Sequence, residues 1–150
     1  MDLVIDTVVL VDASGEGVPD FAGESYRLLQ HLQGWEPWRL CFDEKGKIKR
    51  QYDNRISGQM FAQKWLMASQ SRWFTPPCAR IPRGTRVELC EAHFDWGDHP
   101  FVETAYSTAT KTIVTREFKS YTPVVITILR RNLGVEVLRA GDLLQRLSSL

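Results

Sequence analysis

Leu3-Val4-Ile5-Asp6-Thr7-Val8-Val9-Leu10 is the stretch on which the fold turns. It is a short, β-branched apolar run broken only by Asp6 and Thr7, the pattern of a parallel strand buried on both faces. An ionised carboxylate inside such a strand is costly to bury unless a cation or hydrogen bonds offset its lost hydration. Asp6 is therefore the most informative residue of the chain, because neither a helix cap nor a turn explains it.

Working outward, Gly15, Gly17 and Pro19 break the chain. Asp20 can then cap a helix whose apolar positions Phe21, Tyr26, Leu28, Leu29 and Leu32 share one face as far as Gly34. Trp38 to Phe42 reads as a second strand, and the polar run Asp43-Glu44-Lys45-Gly46-Lys47 as a turn away from it. The spacing of Met60, Phe61, Trp65, Leu66 and Met67 predicts a helix from about Ile56 to Ser71. Pro76, Pro77, Pro82 and Gly84 make Trp73 to Gly84 an irregular connection, with a short helix from Val87 to Phe94 after it. Asp98 and Pro100 open another helix, Thr112 to Thr115 forms a strand, and Val124 to Arg131 a helix closed by Gly134. Val135 to Leu138 is the last strand and Gly141 to Leu147 the last helix. This alternation predicts one α/β domain over residues 1–150, a three-layer α/β/α sandwich around a central, mostly parallel sheet of four or five strands.

A length of 150 residues with 43% hydrophobic composition suffices for one core. No run approaches the roughly 18 apolar residues of a membrane span. Asp2 and Asp6 stand where a signal peptide carries positive charge, so a cytoplasmic protein without membrane association is expected. Cys41, Cys78 and Cys90 are odd in number and widely spaced, which fits reduced thiols better than disulfides. Cys90 and His93, with Asp95 or Cys78, lack the paired spacing of zinc sites. The net charge of +1 identifies no partner, yet Lys45, Lys47, Lys49, Arg50 and Arg55 cluster, as do Arg72, Arg80, Arg83 and Arg86. Such groups can face phosphates or simply solvate a surface. Trp73 and Phe74, beside Arg72 and Arg80, suit either a flap that stacks on bases or a cover for the core.

Ligands of open parallel sheets collect beyond the carboxyl ends of the strands, where loops and helix starts converge. Asp98 at a helix start and Glu117 just past the strand at Thr112 to Thr115 can reach that edge together with Asp6. An N-cap alone would account for Asp98, and a solvated loop for Glu117. Carboxylates crowded together repel and stay ionised near neutrality only beside cations. All-oxygen ligand sets select hard ions such as magnesium or manganese, which suit in-line displacement at phosphorus.

The run Val4-Ile5-Asp6-Thr7-Val8-Val9-Leu10 resembles the opening strand of the PIN domain family, where an aspartate is followed by threonine or serine and then asparagine. Asp98-His99-Pro100-Phe101-Val102-Glu103-Thr104-Ala105 is similar to that family's central acidic helix start, and Ile113-Val114-Thr115-Arg116-Glu117-Phe118 to its valine-threonine-any-aspartate segment. Leu133-Gly134-Val135-Glu136-Val137-Leu138 resembles the closing strand, and Asp43 to Ile48 with Gln51-Tyr52 a segment of one subset. The likeness runs in order along nearly the whole chain. It implies an endoribonuclease dependent on Mg2+ or Mn2+, often the toxin of a toxin-antitoxin pair, with RNA as substrate, an antitoxin as partner and a homodimer as assembly. By position, Asp6, Asp98 and Glu117 would be catalytic carboxylates and metal ligands, with water as nucleophile. A further ligand would come from Asp43, Glu44 or Asp53, of which Asp43 is preferred, with Glu103 and Thr115 as additional contributors. Lys47, Arg72 and Arg116 are the candidate substrate contacts. Val8 replaces the usual asparagine, Gln51 stands where the subset carries glutamate, and Glu117 is one methylene longer than aspartate. Those departures leave a second reading, a degenerate PIN-like module that binds RNA or a protein without cleavage.

Overall fold

A computed structural model describes residues 1–116 and 119–150; Glu117 and Phe118, and with them one predicted site residue, lie outside the described residues. Five strands form one all-parallel sheet: β1 (Asp2–Ile5), β2 (Arg39–Cys41), β3 (Trp73–Phe74), β4 (Thr112–Val114) and β5 (Glu136–Leu138), in the order β3-β2-β1-β4-β5. Around it lie helices α1 (Thr7–Ala13), α2 (Pro19–Gly34), α3 (Lys47–Arg55), α4 (Phe61–Ala68), α5 (Arg83–Glu91), α6 (His99–Tyr106), α7 (Pro123–Ile128) and α8 (Ala140–Ser148). The expected three-layer α/β/α sandwich is what forms.

The layers follow from handedness. Strands β1, β2 and β3 step one way across the sheet, while β4 and β5 lie on the other side of β1. Right-handed crossovers then send the first connections to one face and the later ones to the opposite face. The packing agrees: α1 lies on α2 and α4, and α2 on α8, whereas α6 covers β1 and β4 and α5 meets α7. Helix α3 touches both α1 and α6 and so spans the sheet edge. Strand order reverses between β1 and β4, and a crevice opens at their carboxyl ends.

The decisive stretch is not one strand. Strand β1 ends at Ile5, Asp6 keeps extended geometry (φ −65°, ψ 143°), and α1 begins at Thr7 with every residue buried. An apolar run without periodicity cannot separate a buried strand from a helix buried all round, which is why the two merge in the sequence. Other boundaries shift for local reasons. The turn predicted after β2 leads at once into α3, and the helix predicted over 56–71 shrinks to α4, because Ile56 is extended and closes α3. Trp73 and Phe74 form the edge strand β3, paired with Leu40 and Cys41, so they cover the core and are no flap. Helix α5 starts earlier than predicted, directly after Pro82. Helix α7 passes into a π-helical turn, Leu129–Leu133, ended by Gly134 at φ 68°, a left-handed conformation that glycine adopts without strain.

One ion pair ties the two halves of the sheet together. Asp12 in α1 is fully buried, and its carboxylate accepts from Arg116 Nε at 2.8 Å and Nη2 at 3.2 Å, and from the Val18 amide at 2.9 Å. Gly17 packs so closely that a Cβ there would sit 1.9 Å from Asp12 Oδ1. Removing the Asp12 carboxylate removes three hydrogen bonds to a fully buried group. Asp12→Ala is expected to destabilise the fold by about 3 kcal/mol in urea denaturation; a loss below about 1 kcal/mol would show the pair to be incidental.

Candidate active site

Asp6 and Thr115 are the first residues beyond β1 and β4, the two strands that flank the reversal of order. The Asp6 amide still belongs to the ladder, donating to Val114 O at 2.8 Å. Its side chain is 3% exposed and accepts from Thr115 Oγ1 at 2.7 Å. Behind it, the buried Tyr52 hydroxyl donates to Ile5 O and fixes α3 against the end of β1.

Asp98 arrives from the other layer. It ends a 3-10 turn, Trp96–Asp98, capped by Asp95 Oδ1, which accepts from the Gly97 amide at 2.8 Å. Gln51 of α3 holds this turn in place: its Nε2 donates to Gly97 O at 2.8 Å, and its Oε1 accepts from Thr7 Oγ1 at 3.4 Å. Asp98 heads α6 without making a capping hydrogen bond, so the N-cap explanation of this residue does not hold. With Asp6 it lines a cavity of about 360 Å³.

Electrostatics mark the pair. Burial first, and the neighbouring Asp98 second, push the Asp6 carboxyl up to about 6 against the opposing pull of the Thr115 hydroxyl and the Val8 and Thr7 amides. Neither amide closes a capping hydrogen bond to it. Tyr121 is fully buried and its hydroxyl has no partner among the described residues. Burial first, then Asp6 and Asp98, hold its phenol protonated. A buried carboxyl whose ionisation a second carboxylate disfavours, in a crevice at a topological switch point, marks this cavity as the candidate functional site.

The remaining predicted residues fall elsewhere. Asp43 accepts from the Lys47 and Ile48 amides at 2.9 and 2.8 Å, capping α3. It lines a second cavity of about 370 Å³ with Glu44, Lys47 and Glu103, and is not in the Asp6 cavity. Glu44 accepts from the Cys78 amide at 3.0 Å and Glu103 from the Cys78 thiol at 3.4 Å. Asp53 pairs with Lys49 on the surface at 2.7 Å. Arg72 precedes β3, at the amino edge opposite Asp6, where it meets Glu36 at 2.6 Å and the Trp38 ring. Arg116 points inward to Asp12. The structure thus brings together Asp6, Asp98 and Thr115, and separates Asp43, Glu44, Glu103, Lys47, Arg72 and Arg116 from them.

Sequence reasoning left out part of the rim. Arg55, His93, Asp95, Lys119 and Ser120 line the Asp6 cavity. His93 and Asp95 belong to it through the left-handed His93 (φ 59°) that ends α5, a conformation histidine tolerates better than most residues. The zinc set around Cys90 is not assembled, since among the described residues no three His, Cys, Asp or Glu side chains are grouped to hold a metal ion. Asp6 and Asp98 alone supply two hard oxygen donors, which suit magnesium or manganese. No helix of the described residues is long and apolar enough to cross a membrane.

No family model matches the chain, and no curated protein matches it.

The raised Asp6 carboxyl makes a signed prediction. The folded state holds this proton to about pH 6 and the unfolded chain releases it near 3.8. Folding therefore draws full benefit below about pH 4 and loses it as pH rises through 6, by on the order of 3 kcal/mol. Asp6→Asn keeps the bond to Thr115 and carries no charge, so in EDTA it should be the more stable protein at pH 7.5, with the advantage vanishing by pH 4. An unchanged difference in denaturation midpoint across that range would contradict the assignment.

Proposed function

We propose that this chain is a ribonuclease that hydrolyses RNA phosphodiester bonds at the Asp6 and Asp98 pair. The observation that carries the reading is the burial of Asp6 against a second carboxylate at the carboxyl edge of a doubly wound sheet. Left metal-free at neutral pH, the pair costs stability, and a bound cation reverses that cost. Mg2+ or Mn2+ held there would supply charge neutralisation and Lewis acidity for in-line displacement at phosphorus.

The chain's own groups have distinct parts. Thr115 fixes one oxygen of Asp6, which lines the cavity. Asp98, held by the Gln51 clasp on its turn, approaches from the opposite side. Arg55 and Lys119 bring positive charge to the same cavity and suit a phosphate backbone. Glu117 is proposed as a third ligand from its place two residues after Thr115, on the strength of the PIN resemblance. The same resemblance supports a cytoplasmic toxin with a protein antitoxin and a homodimeric assembly.

A second reading has its own support. The buried wall residue Val8 and the amide of Gln51 stand where the resembling family offers polar or acidic groups, and fewer such groups weaken metal affinity. In that case the fold binds RNA or a protein without cutting it.

Incubation of the folded protein with a mixed RNA pool separates the two. Cleavage should appear with Mg2+ or Mn2+, vanish in EDTA, and fall at least about 100-fold in Asp6→Asn and Asp98→Asn. Intact RNA at every metal concentration, with the protein shown to be folded, rules out the nuclease; a gel shift by the same protein then supports the binding module.

A further inference from the structure

The turn that carries Asp98 into one cavity carries Trp96 and His99 into the other. Trp96 is 64% exposed, and a single exposed indole is ordinary on a protein surface. This one is held. Its ring stacks on His99 with centroids 4.8 Å apart and planes 29° from parallel, so it presents a fixed aromatic face at the mouth of the 370 Å³ cavity. Beyond the aromatic pair the walls combine Phe42 and Pro76 with Glu44, Lys47 and Arg86.

The charges are not equally engaged. Asp43 is bonded to two amides, and Glu44 and Glu103 to Cys78, while the Lys47 and Arg86 side chains form no ion pair among the described residues. A flat aromatic platform, carboxylates able to accept from ring-edge amines, and cations at the mouth are complementary to a base attached to a phosphate. His99 follows Asp98 directly, so adjacent residues of one chain segment line the two cavities.

We propose that this second cavity is a nucleobase subsite, which takes one unpaired base of a single-stranded RNA while the adjoining phosphate lies at Asp6 and Asp98. The placement of that phosphate rests on the nuclease reading given above. A base within a duplex is stacked on both faces and cannot enter, so the subsite selects single strands. Trp96 is the stacking surface, His99 its backing, and Lys47 and Arg86 the phosphate contacts of the bound nucleotide.

Binding can be read without turnover. AMP and UMP, titrated to millimolar concentration in EDTA, should shift the indole signal of Trp96 and the imidazole signals of His99 in NMR spectra. Trp96→Ala should weaken that binding about tenfold, and Trp96→Phe should recover most of it. Single-stranded RNA should bind more tightly than a duplex of the same sequence, by a margin that Trp96→Ala removes. A protein that binds nucleotides through Trp96 yet cuts nothing keeps the subsite and loses the nuclease reading. Silence at Trp96 and His99, or cleavage and strand preference unchanged in Trp96→Ala, overturns the subsite.

Discussion

A single residue separates β1 from α1, and that residue is a buried carboxylate. Asp6 still donates its amide to the β1–β4 ladder, while the next residue already belongs to a helix. No loop is available to lift its side chain into water. The carboxylate is therefore fixed at the sheet edge, at the point where strand order reverses. The groups around it are arranged by that position: Tyr52 against the last carbonyl of β1, Thr115 against the carboxylate itself, and Gln51 reaching to the turn that bears Asp98.

Two aspartates in this first crossing meet burial in opposite ways. Asp12 accepts from a guanidinium and an amide; Asp6 accepts from one hydroxyl, feels the pull of the Thr7 and Val8 amides, and has a second carboxylate beside it. Their partners are consecutive residues, Thr115 and Arg116, on the segment leaving β4. One short stretch thus both anchors α1 and holds the Asp6 carboxylate. Adjacent residues hold two different buried aspartates, Thr115 binding Asp6 and Arg116 binding Asp12. The difference in pairing is what separates a stabilising ion pair from a carboxyl whose ionisation is disfavoured.

The sheet was legible in the sequence because its strands are apolar blocks between breakers, and the alternation of strands and helices alone dictates parallel pairing. Asp6 was legible because a carboxylate in such a block has no bland explanation. Helix α3 was missed: Lys47-Ile48-Lys49-Arg50-Gln51-Tyr52-Asp53-Asn54-Arg55 buries only Ile48 and Tyr52, and a two-residue stripe is faint. The signal that could have found it is Asp43, placed to cap the two amides it does cap. With α3 recognised, Asp43 reads as a cap and Gln51, one turn after Lys47, as the residue facing the site. Arg72 was misplaced because a charge cluster in sequence carries no information about which sheet edge it reaches, and Arg116 because nothing in the sequence shows that it turns inward to Asp12.

Gln51 shows why the site has its particular chemistry. A glutamine can donate from its nitrogen and accept at its oxygen, and here it does both, bridging Gly97 O and Thr7 Oγ1. A carboxylate in its place could not donate to Gly97 O, and its charge would add to the repulsion that already raises Asp6. The amide thus holds the Trp96–Asp98 turn down onto α3 where a third anion would push it away. Asp98 faces Asp6, and Trp96 stands over the second cavity, because both ride on that one clasped turn. The carboxylate pair and the aromatic platform are positioned by the same hydrogen bond, so a change at Gln51 acts on both cavities together.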